Sequence, residues 1–572
     1  MSRTEPLKLV DRIERWATLP SRVVPIGFFA SLLFVIFGPY VNYAPKGNID
    51  PWLYTGYFTN YSYIQAHYGT TYYFSRLPWT IPGLIAFQLA NPTAATLLLN
   101  ACLVAVCSLS LYFAIRWHYG TVAAVLASIA LATNPWYYTT VAWDYPDGPA
   151  IAYGFLAAAF ALRPHGSRAV NSILMAACLA LSGFTNMSGA PMVLSVLIFP
   201  LWRWRRSMLE LVRESVYILT GVAGTTIALA PISKAVLGYW LFFLPQIRLA
   251  REELGKPEIL IKMWGAGDGF LLKAYHLFPV AFLLVFGLVL LGTLRKRALV
   301  AWPSYLALLA CTMIYSFQEF VMHGVVLHVA YHSVYLVVPL FVLAGAIFGE
   351  LWRDSDFRRE WMQTIALVLS AIALPHAVDA FRTRLFGPGL WTVMFVTGGV
   401  AILLVAGWHA ARTGFRVAIA LLLMPLLFAG PARESFLYTS VNTTSRDDFR
   451  ALMSFNEVLK AAVPIGRRVV FWADRDEPDD YLFVSAQSLW VYGGYDFGRA
   501  FQGAVPDDIR DQLSANTTLV QLTDHAERIG EHLKLLDAHG VRYGNQRQWT
   551  VRSGKGLFYM AAEDIYDISG IR

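Results

Sequence analysis

A chain of 572 residues that is 56% hydrophobic and only 15% charged, with a mean hydropathy of +0.47, has more apolar surface than one soluble core can bury. Those figures exclude an ordinary water-soluble enzyme and indicate a polytopic membrane protein. The net charge of +8 does not indicate a nucleic-acid partner, because the basic residues are scattered over short loops rather than gathered with aromatics on one face.

In chain order, apolar runs near the roughly 20 residues that cross about 30 Å of hydrocarbon predict spans at 23–41, 93–115, 121–138, 148–163, 170–185, 189–201, 215–233, 276–294, 299–316, 334–351, 361–379, 391–410 and 416–431. That makes about thirteen, the first a retained span rather than a cleaved signal peptide. Arg3, Lys8, Arg12, Arg15 and Arg22 precede it and place the N-terminus (1–22) in the cytoplasm. Every second loop repeats the signal, through Arg116, Arg163 and Arg168, Arg203 to Arg213, Arg295 to Arg297, Arg353 to Arg359, and Arg412 with Arg416. The short loops between, near 140–147, 184–188 and 317–333, hold no Lys or Arg, and only Arg382 and Arg384 dissent. The transmembrane domain thus covers 23–431, and an odd span count leaves residues 432–572 outside.

That tail is far more polar and mixes strand and helix patterns, which predicts a separate extracytoplasmic α/β domain. Candidate strands are Arg468 to Trp472 and Leu482 to Val484; a helix from about Asp524 to His539 ends at Gly540, before Val541-Arg542-Tyr543. Two outside loops are long, at 42–92 and 234–275, and both mix aromatics with charges as interfacial segments do. Cys102, Cys107, Cys178 and Cys311 fall inside apolar runs with neither metal-ligand nor disulfide spacing, and read as buried small hydrophobes.

Acids just beyond span ends are the first functional candidates, since a carboxylate at the edge of an apolar bundle must be solvated, paired or coordinated. Asp50, in Gly47-Asn48-Ile49-Asp50-Pro51-Trp52, is the clearest, although an Asp-Pro turn accounts for the same residues without chemistry. Asp144 and Asp147 lie in the short Trp143-Asp144-Tyr145-Pro146-Asp147-Gly148-Pro149 loop. There they could bind a divalent cation, Mg or Mn, or hold a sugar hydroxyl or a proton; a Pro-Asp-Gly-Pro turn is the plain alternative. Glu319, in Ser316-Phe317-Gln318-Glu319, ends the ninth span and is followed by His323, His328 and His332. His328 and His332 share a face if that segment is helical, but with no acid motif between them donor-phosphate contact, or an ordinary interfacial histidine, is favoured over zinc. Cations for a lipid phosphate are offered by Arg76 and by Arg248, Arg251, Lys262 and Lys273 of the long outside loops, with snorkelling at the interface as the other reading.

With these residues in place the chain resembles the C-type glycosyltransferases, whose members include protein mannosyltransferases, aminoarabinose transferases and oligosaccharyltransferase catalytic subunits. The resemblance rests on the inside N-terminus, the thirteen or so spans, an acid near the start of a long first outside loop, a second acidic loop between spans three and four, and the outside C-terminal domain. It implies a mainly α, polytopic helix bundle and a catalytic role for Asp50. It also implies a polyprenyl-phosphate sugar donor and an extracytoplasmic glycan, lipid or protein acceptor, in a bacterial plasma membrane. The spacing Asp144-x-x-Asp147 departs from the Asp-x-Asp-like pair of metal-dependent members, and Asp50 is followed by Pro-Trp rather than by a second acid. Ser316-Phe317-Gln318-Glu319 and Tyr495-Asp496-Phe497-Gly498 are similar, inexactly, to the Ser/Thr-x-x-Glu and Trp-Trp-Asp-Tyr-Gly motifs of the oligosaccharyltransferase branch. A transporter or flippase is the main alternative, and it would place its charges near mid-membrane, often in two related halves; these acids lie at the outer side and no internal repeat is visible. Asn60, Asn186, Asn442 and Asn516 match the glycosylation acceptor pattern, which arises often by chance.

Overall fold

A computed structural model describes residues 49–68, 73–132, 145–254, 300–322, 330–353, 468–473, 498–502, 517–523, 525–553 and 556–568, with isolated positions between them. The first part is helical: α1 (Ile49–Tyr68), α2 (Leu77–Leu89), α3 (Pro92–Tyr119), α4 (Thr121–Ala132), α5 (Asp147–Leu162) and α6 (Arg168–Thr185). After a 3-10 turn at Met187–Gly189 come α7 (Ala190–Val196), α8 (Ile198–Trp204), α9 (Met208–Leu237), α10 (Leu244–Leu254), α11 (Ala301–Phe320) and α12 (Ala330–Ser333), then a second 3-10 turn (Val334–Leu336) leading into α13 (Val337–Arg353).

Local sequence sets several of these boundaries. Asn91 caps α3 by accepting the Ala94 N–H at 3.0 Å, Pro92 supplies the first helical position, and Gly120, at φ 86, ends the helix where a side chain would be strained. Ser207 accepts from the Glu210 N–H to start α9, and Glu210 places a negative charge on the positive end of that helix. The expected spans at 93–115, 148–163, 170–185, 215–233, 299–316 and 334–351 coincide with helices, and 121–138 does so as far as Ala132, whereas 189–201 is broken into the first 3-10 turn, α7 and α8. The runs at 23–41, 361–379, 391–410 and 416–431 lie outside the described residues, as does most of 276–294.

The main core is formed by α3, α4, α5, α11 and α13, and nearly every side chain from Val334, in the turn before α13, to Phe348 within it is buried. Alanines at 157, 158, 159 and 161 keep α5 narrow enough for this packing. A second cluster joins Tyr54, Tyr57 and Phe58 of α1 to Phe74, Leu77 and Trp79, with Phe242 closing it. Several aromatics of α1 and α2, among them Tyr54, Tyr57, Phe58 and Trp79, are buried in protein, and Trp52 stacks on Phe449 at 5.8 Å.

Among the described residues, three helices are long and apolar enough to cross a membrane: Pro92–Tyr119, Arg168–Thr185 and Met208–Leu237. The 30-residue α9 would be about 45 Å long, enough to span with some tilt. It leaves Leu209, Val212, Val216, Leu219 and Ile227 more than half exposed, a face that water would penalise at about 25 cal/mol per Å² and that hydrocarbon would not. Its inner side touches α6 through Gly221, where an added Cβ would stand 2.4 Å from the Ile173 carbonyl oxygen. Gly221→Leu is expected to cost about 1–3 kcal/mol by forcing the helices apart. A melting temperature in detergent equal to that of the wild type would show that α9 is not seated there. Cys107, Cys178 and Cys311 are buried as expected, but Cys102 is exposed, because α3 turns it away from the core.

In the C-terminal part, the described residues form a five-stranded sheet in the order β2-β1-β3-β5-β4, from β1 (Arg468–Ala473), β2 (Gly498–Gln502), β3 (Thr517–Thr523), β4 (Val541–Ser553) and β5 (Gly556–Ile568). β1 runs parallel to β2 and β3, while β5 is antiparallel to β3 and β4. Helix α14 (Ala526–Ala538) links β3 to β4, and Gly540, at φ 70, takes the chain out of it as the sequence predicts. Buried His532 of α14 lies 2.9 Å from Gln521 of β3 and ties helix to sheet. The strand expected at Leu482 to Val484 lies outside the described residues.

Candidate functional site

Hydrogen bonds between helices cluster at the two ends of the bundle. At one end α3, α5 and α8 finish with Arg116, Arg163 and Arg203 in or just beyond their last turns. There His118 Nε2 lies 2.6 Å from the Leu162 carbonyl, Arg203 donates to the Ala161 carbonyl at 2.7 Å, and the Tyr119 hydroxyl donates to Glu350 at 2.9 Å. Arg168 pairs with Glu214 at 2.9 Å and with Glu210, and its guanidinium lies over the Trp204 ring at 3.8 Å. The bonds at this end join helix to helix.

The opposite end is built differently. Asp147 is the first residue of α5 and only 2% exposed. Its Oδ1 accepts the Asn186 Nδ2–H at 2.7 Å and also the Tyr335 hydroxyl. The Asn186 amide cannot turn round without loss, because its Oδ1 accepts the Ser188 N–H at 3.1 Å. The same 3-10 turn is held from the other side by the Tyr315 hydroxyl, which donates to the Ser188 carbonyl at 2.9 Å. Residues 147, 186, 315 and 335 thereby come together from four separate elements.

Arg76 completes this end. It immediately precedes α2, where Pro78 starts the helix and the Arg76 carbonyl accepts from Trp79 and Thr80 at 2.9 and 3.0 Å. Its side chain, 8% exposed, donates to the Tyr54 hydroxyl at 2.7 Å and packs by the rings of Tyr54 and Tyr73, 6.0 and 5.9 Å from their centroids. Tyr54 in turn meets the edge of Tyr145, two residues before Asp147. Gln246 of α10 is buried beside them and donates to the carbonyls of Ser75 and Phe184, at 3.3 and 2.9 Å. A carboxylate and a guanidinium removed from water cost several kcal/mol each unless bonded in this way. Together they offer a cation, an acid and several hydroxyls at the end of an apolar bundle, a set that can receive a phosphate and a polyol side by side.

The other expected site residues fall as follows. Asp50 is in the first turn of α1, one turn ahead of Tyr54, rather than in an extended loop. Asp147 opens a helix instead of sitting in a turn, and Asp144 lies outside the described residues. Arg76 is enclosed by aromatics rather than snorkelling, whereas Arg248 is exposed on α10. Glu319 belongs to the last turn of α11 and accepts the Leu327 N–H at 2.8 Å. His332 is half-buried in α12, while His323 and His328 lie outside the described residues.

Oδ1 of Asp147 accepts hydrogen bonds from Asn186 and Tyr335, and Asp144, its expected metal-binding partner, lies outside the described residues. Among the described residues, no group of three or more His, Cys, Asp or Glu side chains is arranged to hold a metal. Asn186 is also unavailable as a glycosylation acceptor, being buried with its amide engaged on both sides. Sequence reasoning overlooked Asn186, Gln246, Tyr315 and Tyr335 as site residues. Asn186 had surfaced only as that acceptor match, and the two tyrosines lie in or beside apolar runs where nothing marks them as polar partners.

No family model and no curated protein matches the chain. Solved structures similar to it include ArnT from Cupriavidus metallidurans bound to undecaprenyl phosphate, at 14% identity and a TM-score of 0.48, covering 95% of this chain and 98% of that one. The Archaeoglobus fulgidus oligosaccharyltransferase in its apo form is similar at 13% identity and a TM-score of 0.41, over 91% of this chain and 72% of that one. The archaeal oligosaccharyltransferase AglB from the same organism, in complex with an inhibitory peptide and a dolichol-phosphate, has 13% identity and a TM-score of 0.34, over 94% and 73%.

Proposed function

We propose that this chain is a membrane glycosyltransferase that moves a sugar from a polyprenyl-phosphate donor to an extracytoplasmic glycan, lipid or protein. The observation that carries the reading is the placement of buried Arg76 and buried Asp147 together, at the end of the bundle away from the loop arginines. A transporter would need its charges along a path through the bundle; a transferase needs them at one face, where a lipid headgroup can enter from the side.

In this reading the donor phosphate meets the Arg76 guanidinium, which can bond two of its oxygens, and the polyprenyl tail lies along the apolar helices. Asp147 accepts a hydroxyl of the sugar. The acceptor approaches Asp50, which takes its proton as the acceptor oxygen bonds to the anomeric carbon. The bond from that carbon to the phosphate oxygen breaks, its electrons stay on the lipid phosphate, and the sugar is inverted. Arg76 stabilises the charge that gathers on the departing phosphate. Residues 1–22 are cytoplasmic and residues 432–572 form an extracytoplasmic domain beside a bundle of about thirteen spans.

The deciding assay offers radiolabelled sugars on a panel of polyprenyl phosphates to membranes containing the protein, with and without chelator. Transfer is expected from at least one donor, and the effect of the chelator decides whether Asp144 and Asp147 hold a divalent cation. An intact panel that yields no transfer would remove the enzyme and make transport the next hypothesis.

A further inference from the structure

The segment that leaves α9 has one face on protein and one that meets none. At about 45 Å, α9 is as long as a bilayer is thick with its headgroups, so a chain that crosses on it reaches headgroup depth at Gly238. There the exposed Lys234 ammonium donates to the Gly238 carbonyl at 2.7 Å, and Gly238, at φ 81, redirects the chain. Beyond it Trp240, Leu241, Leu244 and Ile247 are each 46–57% exposed, and Arg248 and Arg251 are exposed as well. Residues 244, 247, 248 and 251 have the i, i+3, i+4, i+7 spacing of a single helical face, so α10 carries two aliphatic and two guanidinium side chains on the same side.

The other side is fixed to protein. Phe242 is fully buried and meets the edge of the Phe184 ring at 4.9 Å, while Phe243 stacks on that ring at 5.8 Å. Buried Gln246 donates to the carbonyls of Ser75 and Phe184, which belong to the residue before Arg76 and to the last turn of α6.

We infer that residues 240–251 are a membrane-docking surface, with Gln246 as the brace that ties the Ser75–Arg76 segment to it. Trp240, Leu241, Leu244 and Ile247 sink into the headgroup layer of the leaflet at this end of the bundle, and Arg248 and Arg251 bond phospholipid phosphates. A headgroup layer offers hydrocarbon beneath and phosphate above, the pair of surroundings that four apolar side chains beside two arginines require. The patch also follows directly on α9, whose Leu219 and Ile227 are exposed in the manner of lipid-facing residues. The inference goes beyond the transferase reading and does not depend on it; in a transferase, the brace sets the depth of Arg76 against the donor phosphate.

The test uses the full-length protein with exposed Cys102 replaced by serine, since the other three cysteines are buried and escape labelling. A fluorophore is attached at Ile247→Cys or, as a deep reference on α9, at Leu219→Cys. The protein is placed in nanodiscs of phosphatidylethanolamine and phosphatidylglycerol that carry a nitroxide either at the headgroup or near the end of the acyl chain. The label at 247 is expected to be quenched more by the shallow nitroxide and the label at 219 more by the deep one, with both shielded from iodide. Arg248→Glu combined with Arg251→Glu should lose most of the shallow quenching at 247. Hydrogen exchange reads the brace. Gln246→Met removes both donated bonds at similar side-chain length, and exchange of the Trp79 and Thr80 amides, which bond the Arg76 carbonyl, should rise about tenfold with quenching at 247 unchanged. Amides of α5 are the reference for global stability and should not change.

Strong iodide quenching at 247 would put this face in water, and protection from iodide and from both nitroxides would put it under protein; either result overturns the docking surface. Unchanged exchange at Trp79 and Thr80 in Gln246→Met, or an equal rise throughout α5, overturns the brace. Neither readout involves sugar transfer, so a protein that transfers nothing would sink the transferase reading and leave this inference to its own data.

Discussion

Asp50→Asn is expected to reduce sugar transfer by about 10²–10⁴-fold while the protein reaches the membrane in normal amount. The amide is nearly isosteric with the carboxylate and can still accept a hydrogen bond from the acceptor hydroxyl, but it cannot take the proton, so the loss should appear in kcat more than in either KM. The position supports the assignment: Asp50 occupies the first turn of α1, one turn ahead of the Tyr54 that holds Arg76. In the proposed mechanism the proton acceptor thus shares a helix with the tyrosine that holds the phosphate-binding cation. The measurement is single-turnover transfer from a saturating donor in membranes with matched protein levels. Wild-type turnover in the variant would mean that another group is the base, and Glu319, in the last turn of α11, would be the next to replace.

The second large effect is expected at Arg76. Arg76→Lys keeps the positive charge but loses the planar fork and the packing by Tyr54 and Tyr73, and should lower kcat/KM for the donor by about 10²–10³-fold. Because Arg76 is buried, the shorter ammonium must either leave the Tyr54 hydroxyl or pull α2 inward, so fold and function have to be read separately. Melting temperature supplies the first, and binding of the sugar-free lipid phosphate supplies the second. The variant should melt within a few degrees of the wild type and bind the lipid phosphate more weakly. Unchanged lipid-phosphate binding would move the phosphate to another cation, with exposed Arg248 on α10 as the first candidate.

Several elements could be read before any coordinates because their causes are local. A proline at the first position of α3, a glycine past its end and a long apolar run between them are sufficient to delimit that helix. The C-terminal helix ending at Gly540 and the strand beginning at Arg468 follow from equally short-range signals. Packing is a different matter. Residues 49–68 carry tyrosines that suit a membrane interface, and only the contacts of this segment with Phe74, Trp79 and Phe449 show that part of it also packs against protein. Glu319 marks the rise in polarity at the end of the ninth span, and α11 continues through Phe320.

The sequence by itself determined that the protein is a membrane helix bundle with a polar C-terminal portion, which acids and cations lie near span ends, and which loops carry the positive charge. These properties are set by composition and by periods of a few residues, so they survive without tertiary information. The tertiary structure alone decided that Asp147 is shared by Asn186 and Tyr335, that Arg76 is enclosed by tyrosines, and that Gln246 ties α10 to the same end. Those pairings join residues 22 to 188 positions apart. No local pattern encodes them, because a tyrosine in an apolar run looks the same in sequence whether its hydroxyl meets lipid headgroups or a buried carboxylate.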